Sequence, residues 1–266
     1  MDGTTERVLE VARQAARQAG RLLVTCRWNW SREKGRFDLQ TEADLAAQET
    51  IRRLVGQAFP DHLFYGEEDP GPPEGWLERP TWVVDPLDGT TNYAHGCPLY
   101  AVSVGWVVDG EPQGGGIYDP TRDELFEAAR WHGAWLAGQR LQVSEVGTLD
   151  RALIATGFPT DLQGHEHTLA VWRHFSLRTQ SLRRLGSTAL NLAYVAAGRF
   201  DGLWGFDFCP WDVAAGLVLV QEAGARVTRL AGTLYRLPQQ DLVAANPSLL
   251  AVMLKELEHS GAPLPG

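Results

Sequence analysis

Cysteine is scarce in this 266-residue chain, and its three copies, Cys26, Cys97 and Cys209, lie far apart. They form neither a CxxC pair nor a zinc-ligand spacing, which excludes a disulfide framework and a structural zinc and predicts a reducing, cytoplasmic setting. No apolar run approaches the ~18 residues of a membrane span, so a membrane role is not expected. The opening Met1 to Glu6 has no basic region followed by an apolar one, so a secretory leader is not expected either. There is no P-loop, and the seven histidines show neither HxxxH spacing nor a catalytic-triad context. Positive charge is short as well: 24 Lys and Arg against 33 Asp and Glu give a net charge of −9. That excludes nucleic acid as a bulk partner, because a phosphate backbone requires a basic footprint.

What is present suits an ordinary folded domain, with 44% apolar residues and 28 glycines. A chain of this length buries roughly 70–75% of its unfolded surface and needs no staple. Apolar residues recur at helical spacing over residues 5–27, and a second helix is expected to open at Thr41-Glu42-Ala43-Asp44. Residues 28–37 between them are charged and irregular, and a mobile loop is expected there. Residues 63–65 predict a short strand leading into Glu67-Glu68. Residues 81–84 predict a strand that delivers Asp85 at its end. From Leu99 to Val146 short strands alternate with turn signals, the pattern of an antiparallel meander. Strands and helices then alternate: strands at 152–155 and 203–206, and helices at 187–197, 213–223 and 250–258. The reading is a mixed α/β (α+β) chain and a single domain over 1–266. Residues 1–145 and 146–266 form its two sub-layers, with helices covering sheets.

The chemistry concentrates in Trp82-Val83-Val84-Asp85-Pro86-Leu87-Asp88-Gly89-Thr90-Thr91-Asn92. Two aspartates three apart flank a Pro-Leu turn at a strand end, and hard carboxylate oxygens so placed suit Mg²⁺. The N–H groups of Gly89 and Thr90, if they open a helix, offer a phosphate site. Taken alone, each acidic feature has a plainer use. Asp85 to Asn92 is rich in turn formers, and Glu67-Glu68 is a solvated strand end. Asp212, in Pro210-Trp211-Asp212, would cap a helix, and Thr41-x-x-Asp44 is a capping pattern. Their conjunction points to a metal site.

Asp38-Leu39-x-Thr41-x-x-Asp44, Gly66-Glu67-Glu68, Asp85-Pro86-Leu87-Asp88-Gly89-Thr90-Thr91-Asn92-Tyr93 and Trp211-Asp212-Val213-Ala214-Ala215-Gly216 match the inositol monophosphatase family in order and spacing. So do Ala155-Thr156-Gly157-Phe158-Pro159 and Arg183-Arg184-x-Gly186-Ser187. The chain therefore resembles that family over essentially its whole length, and most closely the bacterial inositol-1-monophosphatases. The resemblance implies a layered αβαβα sandwich, a homodimer, two to three Mg²⁺ ions, sensitivity to Li⁺ and a small-molecule phosphate monoester as substrate.

By position, the resemblance assigns Glu67, Asp85 and the Leu87 carbonyl to a first Mg²⁺. It assigns Asp85, Asp88 and Asp212 to a second, with Glu67 helping a weaker third. Thr90, hydrogen-bonded by Asp44, would orient the attacking water together with Glu67. Asp88, Gly89 and Thr90 would meet the substrate, and Lys34 lies at the position of the family's loop lysine. Independently, five carboxylates in one pocket could not all ionise without cations, since like charges raise one another's pKa. A metal pair roughly 3.5–4 Å apart suits hydrolysis by an activated water without a phosphoenzyme.

One position departs from the pattern. Inositol-binding members carry a glutamate seven residues before the signature aspartate, and here that position is Gly205. Asp207 keeps the strand face but not the position and is expected to be an exposed loop residue. Open room at Gly205 is expected, with loose specificity or a preference for another ester. The alternatives are histidinol phosphate, fructose 1,6-bisphosphate or a nucleotide 3′-phosphate. A further alternative is a dimeric binding protein with incidental phosphatase activity.

Overall fold

A computed structural model of the chain describes residues 3–25, 31–35, 38–159 and 166–264. Its first helix, α1 (Gly3–Thr25), is followed by strands β1 (Ser31–Gly35) and β2 (Asp38–Thr41) and helix α2 (Glu42–Ala58). Strands β3 (Leu63–Gly66) and β4 (Thr81–Asp88) lead to the five-residue helix α3 (Thr90–Ala94). The meander follows as β5 (Ala101–Val108), β6 (Glu111–Asp119), β7 (Glu124–Ala129), β8 (Gly133–Leu136) and β9 (Gln139–Arg140). The second half runs β10 (Leu153–Gly157), α4 (Glu166–Ser176), β11 (Ser181–Arg183), α5 (Thr188–Ala196), β12 (Gly202–Gly205), α6 (Pro210–Glu222), β13 (Arg226–Thr228), β14 (Leu242–Ala245) and α7 (Pro247–Glu258).

Seven strands form one sheet in chain order β3 to β9, antiparallel except for the parallel β3–β4 pair. Five form a second sheet in the order β11-β10-β12-β14-β13, mixed in direction. Helices α1 and α2 cover the outer face of the first sheet, burying Val8, Ala15, Ala19 and Ile51 against Trp82, Val84 and Val102. Helices α5 and α6, apolar all round, fill the space between the two sheets. Helices α4 and α7 close the outer face of the second sheet over Ile154, Trp204 and Val243. This is the layered αβαβα sandwich. No helix among the described residues is long and apolar enough to cross a membrane.

Two expectations change. Within the segment expected to be an irregular loop, the described residues 31–35 pair with β2 as an antiparallel ribbon, while residues 26–30 and 36–37 lie outside the described residues. The strand expected to end before Asp85 continues to Asp88, buried along its whole length between α2 and α6. In the second half, α4, β11, β13 and β14 carry too weak a sequence pattern to have been expected.

Candidate metal centre

Two aspartates three apart on a regular strand would point to opposite faces. In β4 they do not. Asp85 pairs with Ser103 and Asp88 with Ala101, so the three steps from Asp85 to Asp88 oppose two on β5. One residue is extra, and the strand bulges at Pro86-Leu87. Val83 belongs to the central core and Val84 to the outer one; after the bulge Leu87 packs in the outer core. Asp88 thereby joins Asp85 on the central side. The Leu87 N–H donates to Asp85 Oδ1 at 3.0 Å and fixes the turn of the chain.

Asp212 arrives from the opposite layer. Pro210 opens α6 at its first turn, where a missing N–H costs nothing. Cys209 is the N-cap residue, so Asp212 sits three positions further on, and its Oδ2 accepts the Cys209 N–H at 2.7 Å. The Ser103 hydroxyl donates to the Trp211 carbonyl at 3.2 Å and ties this turn to the strand beside Asp85. One carboxylate oxygen from each of Asp85, Asp88 and Asp212 lies within 4.8 Å of the others. Glu67, just past β3, donates its N–H to the Val84 carbonyl at 3.0 Å and lines the same cavity of about 600 Å³.

The electrostatics follow from burial. The carboxyl of Asp85 is held well above its usual range by desolvation, then by the charges of Glu67, Asp88 and Asp212. Asp212 rises well above its range for the same first reason, with Asp88 the largest neighbouring charge. Asp88 is pushed up to about 6 by burial, against the opposing bonds from Ser187, Ala189 and Thr188. Among the described residues that line the cavity, Arg184 is the only cationic side chain, and its guanidinium lies over the Phe158 ring at 5.0 Å. A cluster of hard oxygens that resists carrying its own charge is the donor set a divalent cation fits.

Asp44 is fully buried and serves both of the uses read for it. Its Oδ2 accepts the Thr41 N–H at 2.7 Å and the Thr41 hydroxyl at 2.5 Å, closing the capping box of α2. Its Oδ1 accepts the Thr90 hydroxyl at 3.0 Å, and the Leu87 carbonyl lies as close to that hydroxyl. Gly89 takes φ 102°, which favours glycine, and a Cβ there would sit 2.9 Å from the Leu99 carbonyl oxygen. Thr90 then opens α3, a helix of a single turn and a half.

Of two expected contacts, one lies outside the described residues and the other is not in the cavity wall. Lys34 lies on β1, but its side chain is outside the described residues. Gly205 ends β12 and does not line the cavity; the Phe208 ring fills the space expected to be open there. Asp207 is exposed, with a left-handed φ of 55°, as expected of a loop residue.

Other lining residues escaped the sequence. The Ser187 hydroxyl donates to Asp88 Oδ2 at 2.6 Å, and the Ala189 N–H reaches the same oxygen at 2.6 Å. Ser187 also caps α5, accepting the Leu190 N–H; the sequence marked it as a helix start and as the end of the matched stretch Arg183-Arg184-x-Gly186-Ser187, but not as a partner of Asp88. Thr156 and Asn191 are also buried in the wall; Thr156 stands in the matched stretch Ala155 to Pro159 but with no role assigned, and nothing in the sequence marks Asn191.

The sequence profile of the "Inositol monophosphatase family" matches residues 4–262. The chain belongs to the inositol monophosphatase family. It is 40% identical to the "Nus factor SuhB" of Pseudomonas aeruginosa, over 94% of this chain and 96% of that one. It is 38% identical to "Inositol monophosphatase 3" of Solanum lycopersicum, over 96% and 98%. The solved inositol monophosphatase of Anabaena superposes with a TM-score of 0.85 at 36% identity, covering 96% of each chain. Family and fold together support a phosphatase activity, and the acidic cluster is compatible with metal binding in a family of metal-dependent phosphatases.

Proposed function

We propose that the chain hydrolyses small-molecule phosphate monoesters in a Mg²⁺-dependent reaction, by direct attack of water. The observation that carries this reading is the convergence of Asp85, Asp88 and Asp212 in one cluster, contributed by the seven-stranded sheet and by the central helical layer packed on it. Asp85, Asp88, Asp212, Glu67 and the Leu87 carbonyl would hold two to three Mg²⁺ ions. When bound, they would neutralise the phosphate dianion and the carboxylates and acidify a water molecule.

The protein groups divide the remaining work. Asp44 accepts the Thr90 hydroxyl proton, so the Thr90 oxygen keeps lone pairs for an incoming water. Glu67 takes a proton from that water as its oxygen bonds to phosphorus and the ester P–O bond breaks. The leaving alkoxide is reprotonated from solvent. Asp88, Gly89 and Thr90 contact the phosphate, and Lys34 is assigned to the same side. No side chain is needed as a phosphoryl carrier. Because residues of both halves build the site, one catalytic unit over 1–266 is the matching organisation.

A panel of monoesters, including inositol 1-phosphate, assayed for phosphate release with and without Mg²⁺ tests the proposal. Mg²⁺-dependent release is expected, with inhibition by Li⁺ and by excess Mg²⁺. A rate that rises monotonically with Mg²⁺ and ignores Li⁺ counts against a family-like site. A homodimer is expected in sedimentation.

The relatives called Nus factors support a second reading, in which the chain acts chiefly by binding a macromolecular partner. Asp88→Asn separates the two, because a binding role survives loss of the acidic cluster and hydrolysis does not.

A further inference from the structure

Gly157 and Gly205 are partners in register at the ends of the parallel strands β10 and β12. Two residues earlier on each strand, Ala155 and Leu203 form the preceding pair and belong to the central core. By the period of two, both glycines face that same layer. Two adjacent positions without side chains leave a floor of bare backbone, and one ring covers it. A Cβ at Gly205 would lie 2.3 Å from Phe208 Cζ, and a Cβ at Gly157 would lie 2.6 Å from Phe208 Cε1. The ring is returned to this floor by the left-handed Asp207, with φ 55°, and the Phe208 N–H is anchored on the Gln240 carbonyl at 2.8 Å. Phe208 is only 3% exposed, yet it lines the candidate cavity beside Phe158 and Phe206.

We propose, resting on the phosphatase reading above, that Phe208 is a specificity-determining residue for the leaving group of the ester. Its ring takes the volume that any side chain at position 205 would need, so at that position the wall offers ring carbon, and the neighbouring acceptor in the lining is the exposed Asp207 carboxylate. A leaving group with an apolar or aromatic face loses nothing against such a surface. Hydroxyls set against the Phe208 ring itself must leave water without a partner on that face. Apolar pockets reject an added hydroxyl by no more than about 100-fold. The wall therefore selects aryl or partly apolar monoesters over cyclic polyol esters by roughly 10–100-fold.

Four proteins decide the matter: wild type, Gly205→Ala, Phe208→Leu and the double variant, with Phe208→Met in place of Leu if the Leu variant does not fold. Thermal unfolding reads the packing. Gly205→Ala should lower Tm strongly in the wild-type background and little when Phe208 is shortened, because contacting residues are not additive. Steady-state hydrolysis with Mg²⁺ reads the specificity. The ratio of kcat/KM for phenyl phosphate to that for inositol 1-phosphate should fall at least about tenfold in Phe208→Leu. Equal Tm losses in both backgrounds, or an unchanged ratio when both esters are hydrolysed, would overturn this inference alone. Hydrolysis of neither ester by the wild type would overturn the phosphatase reading and this inference with it, while the Tm arm would still report whether the ring is seated on the glycines.

Discussion

Asp88 stands between two demands. One of its oxygens is already engaged by the Ser187 hydroxyl and the Ala189 N–H, both at 2.6 Å, which leaves the other for a cation. Asn at this position can still accept those two bonds but carries no charge. Turnover in Asp88→Asn should therefore fall by at least about 100-fold, as expected when a group acting only on the charged transition state is removed. Stability should move the other way. Asp88 raises the pKa of both Asp85 and Asp212, so removing its charge relieves repulsion, and the melting temperature in chelator should be unchanged or higher. Phosphate-release assays and calorimetry on the same variant test both halves; wild-type turnover would sink the metal reading. Ser187 makes the complementary case. Ser187→Ala removes the α5 cap and a donor that orients Asp88. Loss of the cap should cost about 1 kcal/mol, and loss of the orienting bond should weaken Mg²⁺ activation about 10–100-fold. A Mg²⁺ titration of turnover alongside a melting curve separates the two effects.

The site depends on how elements are joined as well as on which residues they carry. Asn92 in α3 donates through Nδ2 to the Leu99 carbonyl at 2.7 Å and to the Leu185 carbonyl at 2.8 Å, linking the end of β4 to the segment that leads into α5. Asn92→Ala would leave both carbonyls short of a donor. A cost of about 1–3 kcal/mol is expected, with a fall in kcat/KM as Ser187 loses its fixed distance to Asp88; thermal melts and kinetics check it. Much at this scale was legible in the chain. Helical spacing gave α1 and α2, turn signals gave the meander, and the acidic motifs named every carboxylate in the cluster. What stayed hidden required partners distant in sequence. Pro86 and its neighbours have the composition of a turn, yet burial on both faces keeps the segment in the sheet and turns one extra residue into a bulge. The charged stretch before Thr41 has no apolar alternation, so the pairing of β1 with β2 left no trace. Gly205 signalled an absent side chain but not what fills its place, because Gly157 and Phe208 reach it only through strand pairing and a reversed loop.

At the scale of the whole molecule, the sandwich assembles three carboxylates in the wall of one cavity between its layers. Asp85 and Asp88 come from the seven-stranded sheet and Asp212 from the central helical layer, so folding itself brings like charges together. The sign of the consequence follows from proton linkage. Asp88 is raised from 3.8 to about 6 on folding, and Asp85 and Asp212 are raised well above 3.8. Over that span the folded state binds more protons than the unfolded state. Stability of the metal-free protein is therefore greatest below pH 4 as far as these groups are concerned, and it is lost as pH rises through 6 and beyond. For Asp88 alone the loss is on the order of 3 kcal/mol, since each pKa unit is about 1.4 kcal/mol. A cation bound to the ionised carboxylates acts in the opposite direction, because it binds only the folded site and competes with protons there. Melting curves in chelator should thus fall from pH 5 to pH 8, whereas curves in millimolar-scale Mg²⁺ should hold level or rise over the same range. The gap between the two series should widen with pH and close in Asp88→Asn. A metal-free melting temperature that climbs between pH 5 and pH 8, with no response to Mg²⁺, would mean that the three aspartates do not share a site for a cation.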